Sequence, residues 1–259
     1  MAINRKKVFI SLLMFLLGFL NSNIIAQSIE KKSIIFNSLE EEPVRVNIEL
    51  DYVGDKIKII FNPSQTICID GFRGLAEDIK IISKKFVTLT YKMRAGSGVK
   101  VRRTVLICVS KGYLYRTLDI GSLDSYEFKN TYDKETDSRN LYDESGIYKI
   151  SFINPKNTKN NEYLLEATQY EKIKSKHDPS KNHETLDTLR FNFDNKNKVF
   201  YTEYRSLKGN YIFAGKQRVF MGEKYPIIKL INDEYLFIDK IWYSKVRENN
   251  FAEVSPACN

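Results

Sequence analysis

Apolar and polar residues alternate along most of this chain. Val44, Val46, Ile48 and Leu50 are separated by Arg45, Asn47 and Glu49, and Val87, Leu89, Tyr91 and Met93 by Thr88, Thr90 and Lys92. A period of two puts every apolar side chain on one side of an extended strand, so both runs predict half-buried β-strands. The same pattern predicts strands over 56–61, 99–109, 113–120, 146–153, 163–174, 186–193, 199–205, 226–231 and 235–238, with turns at 194–198 and 232–234. Short strands at close spacing, broken by Asn, Asp, Gly and Lys, predict a mainly β fold of antiparallel sandwich or barrel-like sheets with at most one or two short helices. One stretch fits two templates. Leu75, Ile79, Ile82 and Phe86 lie at helical spacing and match a strand equally well.

Residues 1–26 have the order of a secretory signal. Arg5, Lys6 and Lys7 precede an apolar run over 8–20, and Ala26 is a small residue at a cleavage point. Asn21, Ser22 and Asn23 end the apolar run short of the ~20 residues that a spanning helix needs. The expectation is an exported bacterial protein, periplasmic, at the cell surface or extracellular, with no transmembrane anchor after cleavage. Its remainder divides at a charged stretch without Gly or Pro. The division predicts a β-rich domain over 27–123, a linker or excursion over 124–145, and a second β-rich domain over 146–259. A single domain with a long insertion is the alternative.

Composition narrows the class without naming a chemistry. With 42% hydrophobic residues, 16 Tyr, 16 Phe, 12 Gly and 6 Pro, the chain is neither disordered nor collagen-like. Its three cysteines, Cys68, Cys108 and Cys258, predict one disulfide and one leftover thiol in an oxidising compartment. Cys68 with Cys108 is the expected pair, since both sit in short apolar runs; two buried free thiols are the other reading. No cysteine–histidine spacing suggests zinc, and the pattern calls for no cofactor.

Charge is segregated along the chain. The net charge is +9, yet residues 80–118 hold ten Lys and Arg and no Asp or Glu. If 91–105 folds back through Gly96, Ser97 and Gly98, a three-residue loop keeps the apolar sides together, with Met93 opposite Val101 and Leu89 opposite Val105. The other side then carries Arg94 opposite Lys100, Lys92 opposite Arg102, and Thr90 opposite Thr104. Facing like charges repel unless an anion lies between them, so these six residues form the candidate anion-binding site. The plain reading is a solvated strand face that discourages aggregation. Arg103 stands apart, because it interrupts the apolar row Val99, Val101, Val105, Ile107 and Val109. It requires a buried acceptor, an aromatic ring such as Tyr91, or a sheet edge.

Catalytic motifs are missing. There is no GxSxG or HExxH, and His177 and His183 with Asp178 and Glu184 form a polar loop unlike a metal site. The pattern therefore favours a non-catalytic envelope protein whose partner is an anionic polymer, a lipid headgroup or an envelope protein. A structural or assembly component that recruits a strand at a sheet edge, and a hydrolase with an acidic cleft, are the alternatives. Nucleic acid is not an expected partner, since the aromatic residues form no stacking series.

Overall fold

The computed structural model describes residues 29–72, 78–94, 99–128, 132–133, 138–139, 144–157, 163–175, 178–206, 210–214, 216–221, 224–230, 233–247 and 250–254. The expected signal, the Gly96–Gly98 loop, His177 and Cys258 lie outside them.

The first four strands form an antiparallel meander: β1 (Ile29–Asn37), β2 (Pro43–Asp51), β3 (Lys56–Asn62) and β4 (Gln65–Asp70). The next four are β5 (Asp78–Ile82), β6 (Phe86–Arg94), β7 (Val99–Ser110) and β8 (Tyr113–Phe128). A two-stranded ribbon, β9 (Tyr132–Asp133) and β10 (Ser138–Arg139), precedes β11 (Glu144–Asn157), β12 (Tyr163–Ser175), β13 (His183–Asp194) and β14 (Val199–Tyr201). The central sheet runs β14-β13-β12-β11-β8-β7-β6-β5, so it draws strands from both sides of the charged stretch at 124–145. Seven more strands close the chain: β15 (Glu203–Ser206), β16 (Asn210–Ala214), β17 (Gln217–Met221), β18 (Lys224–Lys229), β19 (Glu234–Ile238), β20 (Ile241–Arg247) and β21 (Asn250–Glu253). They form a sheet of order β15-β18-β19-β20-β21-β16-β17. All its pairings are antiparallel except β16 with β21. Among the described residues the single helical element is the 3-10 turn Pro179–Lys181. The fold is thus mainly β, as its alternation implies.

Strands β6 and β7 are covered on both sides, which explains why β7 is buried from Arg103 to Ser110. Val87, Leu89, Tyr91, Val105, Ile107 and Val109 pack with Val46, Ile48, Leu50, Ile57, Ile59 and Ile69 of the first sheet. Phe86, Leu106 and Cys108 belong to a second core. There they meet Leu118 and Ile120, Leu165 and Phe191, and Phe237 and Trp242 of the last sheet. Each such side chain withdrawn from water contributes roughly 1.5–3 kcal/mol.

The ambiguous stretch is extended from Asp78 onward. Ser83 and Lys84 both take positive φ, 51° and 59°, which turns β5 back onto β6 with Ile82 opposite Phe86. Two successive residues at positive φ give the tight twist of a hairpin turn and interrupt any helix. The bridge expected between Cys68 and Cys108 is not formed: Cys108 is a free, buried thiol, and Cys68 is disulfide-bonded. The pleat of β7 is the reason. Cys108 points into the core shared with Phe86 and Tyr163, whereas the sheet carrying Cys68 packs on the opposite side, over Val105, Ile107 and Val109.

Candidate functional site

The β6–β7 hairpin has the register that its alternation demands. Leu89 stands opposite Val105 and Met93 opposite Val101, while Thr90 faces Thr104, Lys92 faces Arg102 and Arg94 faces Lys100. A one-residue slip in either strand sends apolar side chains to the wrong side, and the two-sided burial of this hairpin makes that costly. At the base of the basic face the Thr90 and Thr104 hydroxyls are hydrogen-bonded at 3.2 Å. One hydroxyl hydrogen of the pair is spent between them, and the other is left to donate elsewhere. Above them Lys92 and Arg102 are half-buried and Lys100 is exposed. Strand β8 extends the row, with Ser122 in register with Arg102 and Ser125 with Lys100.

Four other basic residues of the 80–118 run are neutralised within the fold. Lys80 Nζ lies 2.5 Å from Asp78 Oδ2. Lys85 is buried at the β5–β6 turn, where its ammonium pairs with Glu41 and donates to Tyr163 Oη at 2.9 Å and to the Leu39 carbonyl at 3.2 Å. Arg103 takes the first of its three expected solutions, a buried acceptor. Its Nε donates to Asp119 Oδ1 at 2.7 Å and its Nη2 to Asp119 Oδ2 at 2.9 Å. Arg116 Nη1 donates to the same Oδ2 at 3.0 Å. The surplus positive charge is absorbed by the carbonyls of Asp70, 3.3 Å from Arg103 Nη1, and Val254, 2.8 Å from Nη2. Burial works against the guanidinium charge, but the Asp119 carboxylate outweighs it and holds Arg103 above its ordinary value. Burial also pushes the neighbouring Tyr91 hydroxyl up to about 12, so it is a neutral donor to the Asp70 carbonyl.

Eight of the ten basic residues therefore fall into two sets, and the other two, Lys84 and Lys111, are exposed at turns. Lys80, Lys85, Arg103 and Arg116 have acidic partners in the fold. Lys92, Arg94, Lys100 and Arg102 form the second set, as two cross-strand register pairs of the β6–β7 ribbon, and Lys92 and Arg102 have interactions of their own besides. Sequence counting missed the first set because Asp119 lies one residue past the run and Glu41 comes from the first sheet. An acid between Leu118 and Ile120 was the available signal, as the natural counter-ion for an arginine in an apolar row.

The polar loop near His183 holds no metal cluster among the described residues. Asp178 caps the 3-10 turn by accepting from Ser180 N at 3.2 Å, and Glu184 accepts from Tyr170 Oη at 2.9 Å and pairs with Lys172. His183 presents Nδ1 to the Lys181 carbonyl at 3.0 Å and Nε2 to Glu171 at 3.2 Å. Both ring nitrogens face oxygens, which favours the doubly protonated imidazolium and raises the His183 pKa; the Lys181 carbonyl is the larger cause and Glu171 the next. A separate cavity of about 370 Å³ in the last sheet is lined by Lys229, Asp233, Glu234, Lys245 and Arg247. Burial raises the Asp233 carboxyl there, and Glu234 is committed to Arg205 at 2.7 Å. Comparison with family models, with curated proteins and with solved structures finds no match to this chain.

Proposed function

We propose that this chain is an exported, non-catalytic bacterial envelope protein that binds an anionic surface, glycan or partner through Lys92, Arg94, Lys100 and Arg102. The observation that carries the reading is the cross-strand pairing of like charges, Lys92 with Arg102 and Arg94 with Lys100. Two cations held at opposed register positions can both donate to the oxygens of one phosphate, sulfate or carboxylate group, and such charge-assisted hydrogen bonds are the strong ones. The threonine pair lies at a nearby register position of the same ribbon, and Ser125 of β8 is in register with Lys100. The test is co-sedimentation with vesicles of phosphatidylglycerol or of phosphatidylcholine, alongside polygalacturonate and dextran sulfate, across a salt series. Binding to an anionic probe that weakens with salt, and is lost when the four residues are changed together to Gln, supports the reading. Salt-independent binding, binding that survives the change, or no binding overturns it.

One observation favours a second reading, strand addition at an open edge. Strand β13 pairs with β12 from His183 to Asn192, but among the described residues its other side is taken by β14 at Asn192–Asp194 alone. Leu186, on the stretch with no second neighbour among the described residues, is 70% exposed. An edge of this kind accepts a partner's strand through backbone hydrogen bonds. Proline at Thr188 is expected to abolish capture of a stable envelope partner while leaving vesicle binding intact; a pull-down that recovers no such partner counts against the reading.

A further inference from the structure

Strands β12 and β13 share a pleat face that changes character at one level. Tyr163, Leu165 and Ala167 of β12 and Phe191 and Phe193 of β13 feed the larger core. The same face continues with Gln169 opposite Asp187, Glu171 opposite Thr185 and Ile173 opposite His183. On β13 the polar residues are exposed, but on β12 they are not: Gln169 is 5% exposed and Glu171 8%. Among the described residues, Gln169 Oε1 is the buried side-chain oxygen without a hydrogen-bond partner. Buried acceptors are almost always satisfied, and one that is not marks a place where a partner is to be supplied.

We propose that this face is a binding site for a neutral glycan segment, distinct from the basic hairpin and independent of it. A sugar hydroxyl donates to Gln169 Oε1, and adjacent hydroxyls meet the carboxylates of Glu171 and Asp187. Donor and acceptor types select the class. The site offers a carbonyl and two carboxylates as acceptors, with the Thr185 hydroxyl and the Gln169 amide as donors, and vicinal hydroxyls both donate and accept. The Glu171 carboxylate already faces His183 Nε2 at 3.2 Å, which lessens the pull on a cation, and a ligand that only donates, such as an ammonium group, leaves the Thr185 hydroxyl and the Gln169 amide without an acceptor. The ligand enters from the β13 side, where Thr185 and Asp187 are exposed. The broad terminal torsion of Gln169 lets its amide turn to meet it.

The test is a titration of isotope-labelled full-length protein with cellohexaose, maltohexaose and chitohexaose, following the side-chain amide of Gln169. At least one probe is expected to shift that resonance saturably and independently of salt. Gln169→Leu is expected to weaken binding at least about tenfold while the melting temperature stays level or rises, since it removes an orphaned amide from an apolar contact. The four-residue Gln variant of the hairpin is expected to bind the same probe unchanged, which separates this site from the first. No saturable shift with any of the three, or undiminished binding in Gln169→Leu, overturns the proposal.

Discussion

Arg103 and Asp119 form a two-pronged ion pair between β7 and β8, with the carboxylate fully buried and the guanidinium side chain 4% exposed. Neither group is stable there alone. The pair ties the central sheet to the first sheet through the Asp70 carbonyl and to the chain's last described residue, Val254.

Removing one partner should therefore cost more than removing both. Asp119→Ala leaves two arginines facing a vacated site and is expected to destabilise the fold by about 3–5 kcal/mol, read as a lowered urea midpoint. Asp119→Leu with Arg103→Met is expected to be much less harmful than the two single changes summed, because the pair is coupled. Effects that simply add would show that Arg103 and Asp119 are not coupled.

Much of this fold was legible from alternation alone, and for a physical reason. A strand covered on one side writes its burial into every second residue, so β2, β6 and the β6–β7 register followed from Val44–Leu50 and from Met93 opposite Val101. Strand β1 was not predicted, because Ile34, Ile35 and Phe36 are consecutive and the outward Ile35 is 57% exposed. Distant pairing was beyond the same method. The counter-ion of Lys85 comes from Glu41, and the bonding of Cys68 depends on which side of β7 its sheet covers. Gln169 and Glu171 were hidden for the opposite reason: they sit in a strand whose pattern reads as ordinary, and only coordinates show that their polar ends are buried.

The cysteines allow a chemical check of that geometry. Burial pushes the Cys108 thiol well above its ordinary range, so it is expected to resist a thiol reagent in the native protein. In denaturant without reductant, the Cys108 thiol should react. Peptide mapping should then place the label on Cys108 and leave Cys68 unlabelled. A peptide joining Cys68 to Cys108 would contradict the fold.

His183 titrates in a direction that can be assigned. Its folded pKa is raised above the ordinary 6.5 by the Lys181 carbonyl first and by Glu171 second. The stabilisation from its charged form is thus fully present below pH 6.5 and is lost as pH rises through the higher folded value. Proton NMR of the ring should show a midpoint above 6.5, and Glu171→Gln should lower it without removing the whole shift. A midpoint at or below 6.5 in the native protein would exclude both contacts.

The basic hairpin offers a sharper discrimination than loss of binding. Lys100 is exposed and stands opposite Arg94, so Lys100→Glu turns a repulsive cross-strand pair into an attractive one. The expected gain is a few tenths of a kcal/mol, on the order of 0.2–1, measured as a raised urea midpoint at low salt and diminished at high salt. If the face serves only solubility, that gain has no accompanying cost. If it holds an anion, the same substitution weakens binding to phosphatidylglycerol vesicles or polygalacturonate, because one of the four cations has changed sign. A variant more stable than the native chain and weaker in binding indicates that the repulsion is kept for its ligand. Equal stability with unchanged binding would place Arg94 and Lys100 too far apart to act on the same anion.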